Sequence, residues 1–350
     1  MKPVVLTTKA LNRALLARQL LLQRSTTSLP SALEKVGGLQ TQYAPSAYIA
    51  LWSRLAGFRR EQLTRALFSR KAVQGTLMRS TIHIVSKADY PLLAAGLGPT
   101  RREWWLRTNR PQGLDGIDYQ RAASILRAEL ADGPRPSDEL IAAMAPAGVP
   151  KEAWAGAGVW VDLVRVPPSG IWERRRADLY GLADNWVGPA DISESEGLAH
   201  LCRRYLGGFG PAALGDIASW AGVPVTTLKP IIEGMKLRRF RSEQGGELLD
   251  LSRAPLPSPD RKAPVRFLPT WDATLLVHAR RTLILPEEYR PLVFHTKNPQ
   301  SLPTFLVDGQ VAGAWKHQDG KIVLDPFEPI TRSVRRDLEE EAVGLAALHA

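Results

Sequence analysis

The chain has 350 residues, 44% hydrophobic and 23% charged, and its 46 Lys plus Arg against 35 Asp plus Glu give a net charge of +11. That length suits two or three domains, no run approaches the roughly 18 uninterrupted apolar residues of a membrane span, and Cys202 alone excludes a disulfide framework or a paired-cysteine zinc site. Neither a cofactor nor a metal is expected, the compartment is expected to be reducing, and the positive field makes nucleic acid the leading partner.

The first 33 residues lack any acidic group and carry Lys2, Lys9, Arg13, Arg18 and Arg24, a composition that suits a transit peptide. The spacing of Leu11, Leu15 and Leu22 behind a capping Thr7 or Thr8 argues for a folded helix near 9–23 instead. Helices over 29–37 and 60–70 follow, and then a hairpin from Val73 to Ser86. After the Pro/Gly/Asp-rich stretch 111–118, a second segment has a helix over 119–131 and a capped start at Ser137-Asp138-Glu139-Leu140. Strand-like runs over 159–166 and 171–180 then flank Pro167-Pro168-Ser169-Gly170.

The third segment reads as a helix over 213–221, a turn at Gly222-Val223-Pro224, and a second helix capped by Thr226 or Thr227 with Pro230 near its first turn. Strands over 236–241 and 247–251 around Gln244-Gly245-Gly246 complete a helix-turn-helix with a wing. Three segments with this order of elements predict an α+β protein of three tandem winged-helix domains, at 1–114, 115–192 and 193–350, the last including a strand-rich C-terminal part. That part has a hairpin around Asp308-Gly309, a second turn at Asp319-Gly320, and a closing helix over 331–340.

No phosphate-cradling Gly-Lys loop, dinucleotide-binding glycine motif or Gly-x-Ser-x-Gly elbow is present, which argues against nucleotide hydrolysis and esterase chemistry. His83, His278 and His317 lack partners at helical metal-ligand spacing. The segment Gly37-Gly38-Leu39-Gln40-Thr41-Gln42 puts two glutamines two residues apart, so that in extended backbone both amides project to one side and can hold one water. By itself such a pair is more readily a solvated polar loop.

Its surroundings carry more. Gly-Leu-Gln-Thr-Gln at 38–42 is followed by Pro45, by Leu51-Trp52-Ser53-Arg54 and by Arg79-Ser80-Thr81-Ile82-His83-Ile84-Val85. Further on stand Leu268-Pro269-x-Trp271-Asp272-x-x-Leu275-Leu276 and Pro303-Thr304-Phe305-Leu306-Val307-Asp308-Gly309-x-Val311-x-Gly313-x-Trp315. In these motifs, which extend over nearly its whole length, the chain resembles the AlkZ-like winged-helix DNA glycosylases, the azinomycin-resistance family.

The resemblance implies three winged helices around a basic DNA-binding channel, with Gln40 and Gln42 as the catalytic Gln-x-Gln pair. Gln42 matches the branch associated with crosslink repair and self-resistance; the other main branch has Asp there. The implied activity is monofunctional hydrolysis of the N-glycosidic bond of N7-alkylated purines, including interstrand crosslinks, by a bacterial cytoplasmic, nucleoid-associated monomer. Arg79 and His83 are expected at the DNA, although His83 suits a structural role as well. Arg174, Arg175 and Arg176 on the second wing, Arg238, Arg239 and Arg241 on the third, and Arg101, Arg102, Arg107 and Arg110 around Trp104-Trp105 are candidates for phosphate contacts or simply solvated faces. Lys297 and Asn298 lie in a polar loop at 295–301 where the family has a hairpin entering the minor groove. The competing reading, from a different class, is a non-enzymatic winged-helix transcriptional regulator, which would normally dimerise on a palindromic site.

Overall fold

The computed structural model describes residues 4–276, 283–294 and 301–350. After β1 (Val5–Leu6), helix α1 (Thr8–Arg18) is capped by the Thr7 hydroxyl, which accepts from the Ala10 amide at 3.1 Å. The helix stops at Arg18, earlier than its leucine spacing predicts, because Leu20 takes a left-handed φ of 58° and the remaining leucines enter the core from a turn. Basic residues of this helix and of the turn after it pair with distant carboxylates. Arg18 meets Asp250 at 2.7 Å with both side chains buried, Arg13 meets Asp308 at 2.6 Å, and Arg24 meets Glu341 at 2.6 Å.

Helix α2 (Leu29–Val36) ends at two consecutive left-handed glycines, Gly37 at φ 77° and Gly38 at φ 82°, which turn the chain into β2 (Leu39–Gln40). Then come α3 (Ala44–Arg54), α4 (Arg60–Phe68), β3 (Ala72–Thr76), β4 (Ile82–Ser86) and the long α5 (Asp89–Asn109).

The second segment holds α6 (Tyr119–Glu129), β5 (Arg135–Pro136), α7 (Ser137–Met144), α8 (Trp154–Trp160), β6 (Leu163–Arg165), β7 (Leu179–Leu182) and α9 (Ala183–Val187). Ser137 begins α7 and Pro136 occupies its cap position. The two strands are shorter than predicted. Residues 159 and 160 close α8, and residues 171–178 form an irregular loop, because the Ser169 hydroxyl accepts from the Asp178 and Leu179 amides at 2.6 and 3.1 Å in place of a ladder. Arg174, Arg175 and Arg176 therefore sit on the loop between β6 and β7 and not on a strand. Strands from the first two segments make one six-stranded sheet, in the order β2-β4-β3-β6-β7-β5.

Helix α10 (Glu194–Phe209) starts in a capping box of Ser193 and Glu196 and crosses α5 where two glycines meet. A Cβ on Gly96 would fall 2.6 Å from the Gly197 carbonyl carbon, so neither position has room for a side chain. The helix-turn-helix follows as α11 (Leu214–Ala221), Gly222 at φ 74°, and α12 (Val225–Glu233). Pro224 occupies the α12 cap, so Thr226 and Thr227 lie inside the helix and Pro230 is its sixth residue. There the carbonyl of Thr226 loses its partner on an exposed face where water can satisfy it. The hairpin β8 (Leu237–Ser242) and β9 (Glu247–Leu251) follows directly, and β1 joins its outer edge in parallel.

The C-terminal strands β10 (Arg266–Leu268), β11 (Thr304–Val307), β12 (Gln310–Gln318) and β13 (Lys321–Pro326) form an antiparallel sheet, with the short helix α13 (Arg290–Val293) between the first two. Both predicted Asp-Gly turns are present, with φ of 44° and 84° at Asp308-Gly309 and of 50° and 72° at Asp319-Gly320. Helix α14 (Arg332–His349), capped by Thr331, runs nine residues past its predicted end at 340 because Ala342, Leu345 and Leu348 continue its buried stripe. The sheet and α14 share one core with α3, built on Tyr48, Leu51, Phe267, Phe305 and Leu345. No described helix is long and apolar enough to cross a membrane.

Candidate active site

Gln40 ends β2 directly opposite His83 of β4, and beyond it the chain leaves the sheet edge through Thr41, whose amide still donates to the Ile82 carbonyl at 2.8 Å. Gln40 is 6% exposed, whereas Gln42 is exposed. The two side chains touch: Nε2 of Gln40 donates to Oε1 of Gln42. Oε1 of Gln40 in turn accepts from Nη2 of Arg79 at 2.5 Å. A guanidinium only donates, so this bond fixes which end of the Gln40 amide is oxygen and, through the next bond, the orientation of Gln42.

Arg79 reaches Gln40 from the turn between β3 and β4, where Arg79 and Ser80 are both left-handed, at φ 53° and 57°. Two adjacent non-glycine residues in that region cost on the order of 1–2 kcal/mol each. What offsets the cost is a second anchor: Nη1 of Arg79 donates to the carbonyl of Trp220 at the end of α11. The helix-turn-helix closes against the same turn, since a Cβ on Gly222 would stand 3.0 Å from the Arg79 Cα. Burial lowers the Arg79 pKa to about 10, which leaves it charged at neutral pH.

His83 is 2% exposed, and its Nδ1 lies 3.0 Å from the Thr81 carbonyl, so that nitrogen carries the proton. Burial first, and then the charge of Arg79, push its pKa down to about 3. The imidazole is neutral wherever DNA chemistry proceeds.

The other candidates are dispersed. Arg175 donates to the Tyr43 hydroxyl at 2.9 Å and lies over its ring, which brings the loop between β6 and β7 beside Gln42. Arg174 and Arg176 both pair with Asp178, at 3.3 and 3.2 Å. On the β8–β9 hairpin, Arg238 is tied to Asp250 at 2.7 Å and to the Leu251 and Ala254 carbonyls, Arg239 pairs with Glu247 at 2.6 Å, and Arg241 is exposed. Lys297, Asn298 and His278 lie outside the described residues. The structure thus joins Gln40, Gln42, Arg79 and His83 in one cluster and adds Arg175 through Tyr43, a residue that the sequence reading passed over although it adjoins the pair. Among the described residues no group of three or more His, Cys, Asp or Glu is placed to hold a metal.

What this arrangement offers chemically is two oriented amides beside a fixed cation, with no strong base and no amine at the pair. Such a site can position a water and shape an electrostatic field. The comparisons with known proteins bear on the family and the fold. An interstrand DNA cross-link repair glycosylase of Streptomyces sahachiroi is 23% identical over 357 residues, spanning 94% of this chain and 93% of that protein. The solved structure of the Streptomyces sahachiroi DNA glycosylase AlkZ superposes with a TM-score of 0.85 at 19% identity, covering 99% of this chain and 98% of that one, which establishes a shared fold. The profile of the AlkZ-like DNA glycosylases matches residues 33–348. The chain belongs to the AlkZ-like DNA glycosylase family, and with that membership it is a DNA-binding, glycosylase-type hydrolase of DNA repair.

Proposed function

We propose that this protein is a monofunctional DNA glycosylase that hydrolyses the N-glycosidic bond of N7-alkylated purines and unhooks interstrand crosslinks left by a bifunctional alkylating natural product, a repair and self-resistance activity. The observation that carries the reading is the chain of bonds from Arg79 to Gln40 to Gln42. A guanine alkylated at N7 is cationic, so its glycosidic bond is already weakened and the leaving base needs little acid assistance. What the site must supply is a water held against a developing oxocarbenium ion. The Gln42 amide, exposed and held in one orientation by Gln40, does that. Amides are too weakly basic to activate water against a neutral nucleoside, so undamaged DNA is spared.

In this reading the three segments, with boundaries at 1–114, 115–192 and 193–350, act as winged helices around the duplex, and the protein works as a cytoplasmic monomer on the nucleoid. Arg175, Arg174, Arg176, Arg239 and Arg241 contact phosphates, some of them by exchanging a carboxylate partner for DNA. Lys297 and Asn298 stand in the minor-groove loop. Arg79 acts at the lesion through Gln40, and His83, the register partner of Gln40 across β2 and β4, lies beside it.

The test is excision from a duplex with a single 7-alkylguanine, run with and without borohydride. Release of the free base, with strand breakage only after added alkali, supports the proposal. A covalent adduct trapped by borohydride would assign the chemistry to a lysine Schiff base instead. Absence of release from any alkylated duplex, together with tight binding to one undamaged palindrome, would favour a transcriptional regulator.

A further inference from the structure

At the strand ends where β2 finishes with Gln40, β3 finishes with Thr76 and β6 begins with Leu163, a cavity of about 210 Å3 opens between the sheet, α5 and α8. Ser80, the neighbour of Arg79, lines it, so the cavity adjoins the glutamine cluster. Its walls include Trp104, Trp154 and Tyr180, and two arginines line it, Arg165 and Arg101, the latter also within the field of Asp162.

Arg101 is unusual. It is 9% exposed, it makes no hydrogen bond or ion pair among the described residues, and its Nε is buried without a partner. Arg165 spends one Nη1 bond on the Thr76 hydroxyl at 2.9 Å, lies over the Tyr180 ring, and also keeps a buried Nε without a partner. Buried guanidinium donors are normally satisfied by a planar acceptor edge, and the Nη groups of Arg101, which make no hydrogen bond among the described residues beside an aromatic wall, mark a place for a ligand that supplies one.

The charge selects among ligands. A cationic N7-alkylpurine is repelled by two guanidinium groups and has lost the N7 acceptor that an arginine reads. A phosphodiester suits the charge but gains nothing from the indoles. A neutral base outside the helix suits both, because its ring stacks on Trp104, which is 39% exposed, while its pairing edge accepts from Arg101. Among pairing edges, that of cytosine presents two adjacent acceptors, O2 and N3, whereas that of thymine interrupts its acceptors with N3–H.

Resting on the proposed activity at alkylated guanine, we infer that this cavity is an orphan-base site, which receives the cytosine left without its partner when the guanine opposite is lifted from the pair or lost. The lesion itself then stays at the open Gln40–Gln42 site, and the strand facing it is held by its unpaired base.

The test uses the full chain and a duplex with a tetrahydrofuran abasic analogue opposite the fluorescent cytosine analogue pyrrolocytosine. Binding quenches the fluorescence of wild-type complexes as the ring stacks, and affinity with cytosine opposite the analogue exceeds that with thymine by about tenfold or more. Arg101→Gln brings the two affinities within about twofold, and Trp104→Ala, a change at a partly exposed position, abolishes the quench. Equal wild-type affinities for the two duplexes, or fluorescence unmoved by binding, overturns the inference. Because these readings require no excision, they separate from failure of the glycosylase reading, in which no base is released from any duplex.

Discussion

Arg79 Nη2 lies 2.5 Å from Oε1 of Gln40, so the residue that fixes the more buried of the two glutamines is also the one that reaches the helix-turn-helix through the Trp220 carbonyl. The orientation of the amide pair thereby depends on how the third segment docks. Arg79→Met is expected to lower single-turnover excision of 7-alkylguanine by about tenfold or more while affinity for the damaged duplex changes by less than about threefold. Arg79→Lys recovers little, since a single ammonium cannot span both acceptors in the same geometry. Equal losses in affinity and rate would instead assign Arg79 to a phosphate.

Gln40→Ala and Gln42→Ala each remove orientation at the reacting water, and excision should fall by roughly a hundredfold while melting temperature and DNA affinity stay near wild type. Gln42→Asp keeps an acceptor where Gln40 donates and retains part of the activity on small lesions. Wild-type rates from both alanine variants would move the active site elsewhere.

Acid should loosen the fold. The unfolded chain protonates His83 near its ordinary 6.5, the folded protein only near about 3, so between those values falling pH favours unfolding. From this group alone stability at pH 5 is about 2 kcal/mol lower than at pH 7. His349, pushed down to about 4 by burial and by His317, adds a loss of the same sign. Denaturant titrations at the two pH values check this, and His83→Gln should shrink the difference.

Gly222 tests the contact between the helix-turn-helix and the active-site turn. Gly222→Ala places a Cβ at φ 74° and 3.0 Å from the Arg79 Cα, with an expected cost of about 1–2 kcal/mol in stability and a larger fractional loss of excision than of binding. A variant that melts lower but excises at the wild-type rate would show that the turn does not govern the glutamines.

Two of the three arginines on the hairpin should separate by role. Arg241→Ala lowers the slope of log affinity against log salt by about 1 without affecting the melt. Arg238→Ala lowers the melting temperature, because Arg238 is engaged with Asp250 and two carbonyls.

Local pattern carried much of the fold. The leucine and alanine spacing of α2, α6 and α11, the Asp-Gly turns and the basic hairpin at 237–251 all read directly from neighbouring residues. The convergence of Gln40 and Gln42 was readable for the same reason, as a spacing of two in extended chain. What was not readable depends on distant partners. The inward turn of Arg79 answers to Trp220, 141 residues away, and the loss of strand over 171–178 to one serine hydroxyl that outcompetes a ladder. The Arg101–Trp104–Trp105 run was visible as a basic and aromatic cluster, but only packing against α8 reveals that one of its arginines is buried without a partner.

The charge pairs of the N-terminal segment set an order for folding. Arg18 waits for Asp250, 232 residues later, Arg13 for Asp308, and Arg24 for Glu341, 317 residues later. A chain emerging from the ribosome makes this acid-free stretch first and the carboxylates that neutralise it much later. Until Asp250 and Asp308 are made, α1 therefore cannot bury Arg18 and Arg13 without leaving their charges unpaired, a penalty of several kcal/mol for each. The first helix made thus waits for the third segment, and a chain cut short before Asp250 carries Arg18 without its buried partner.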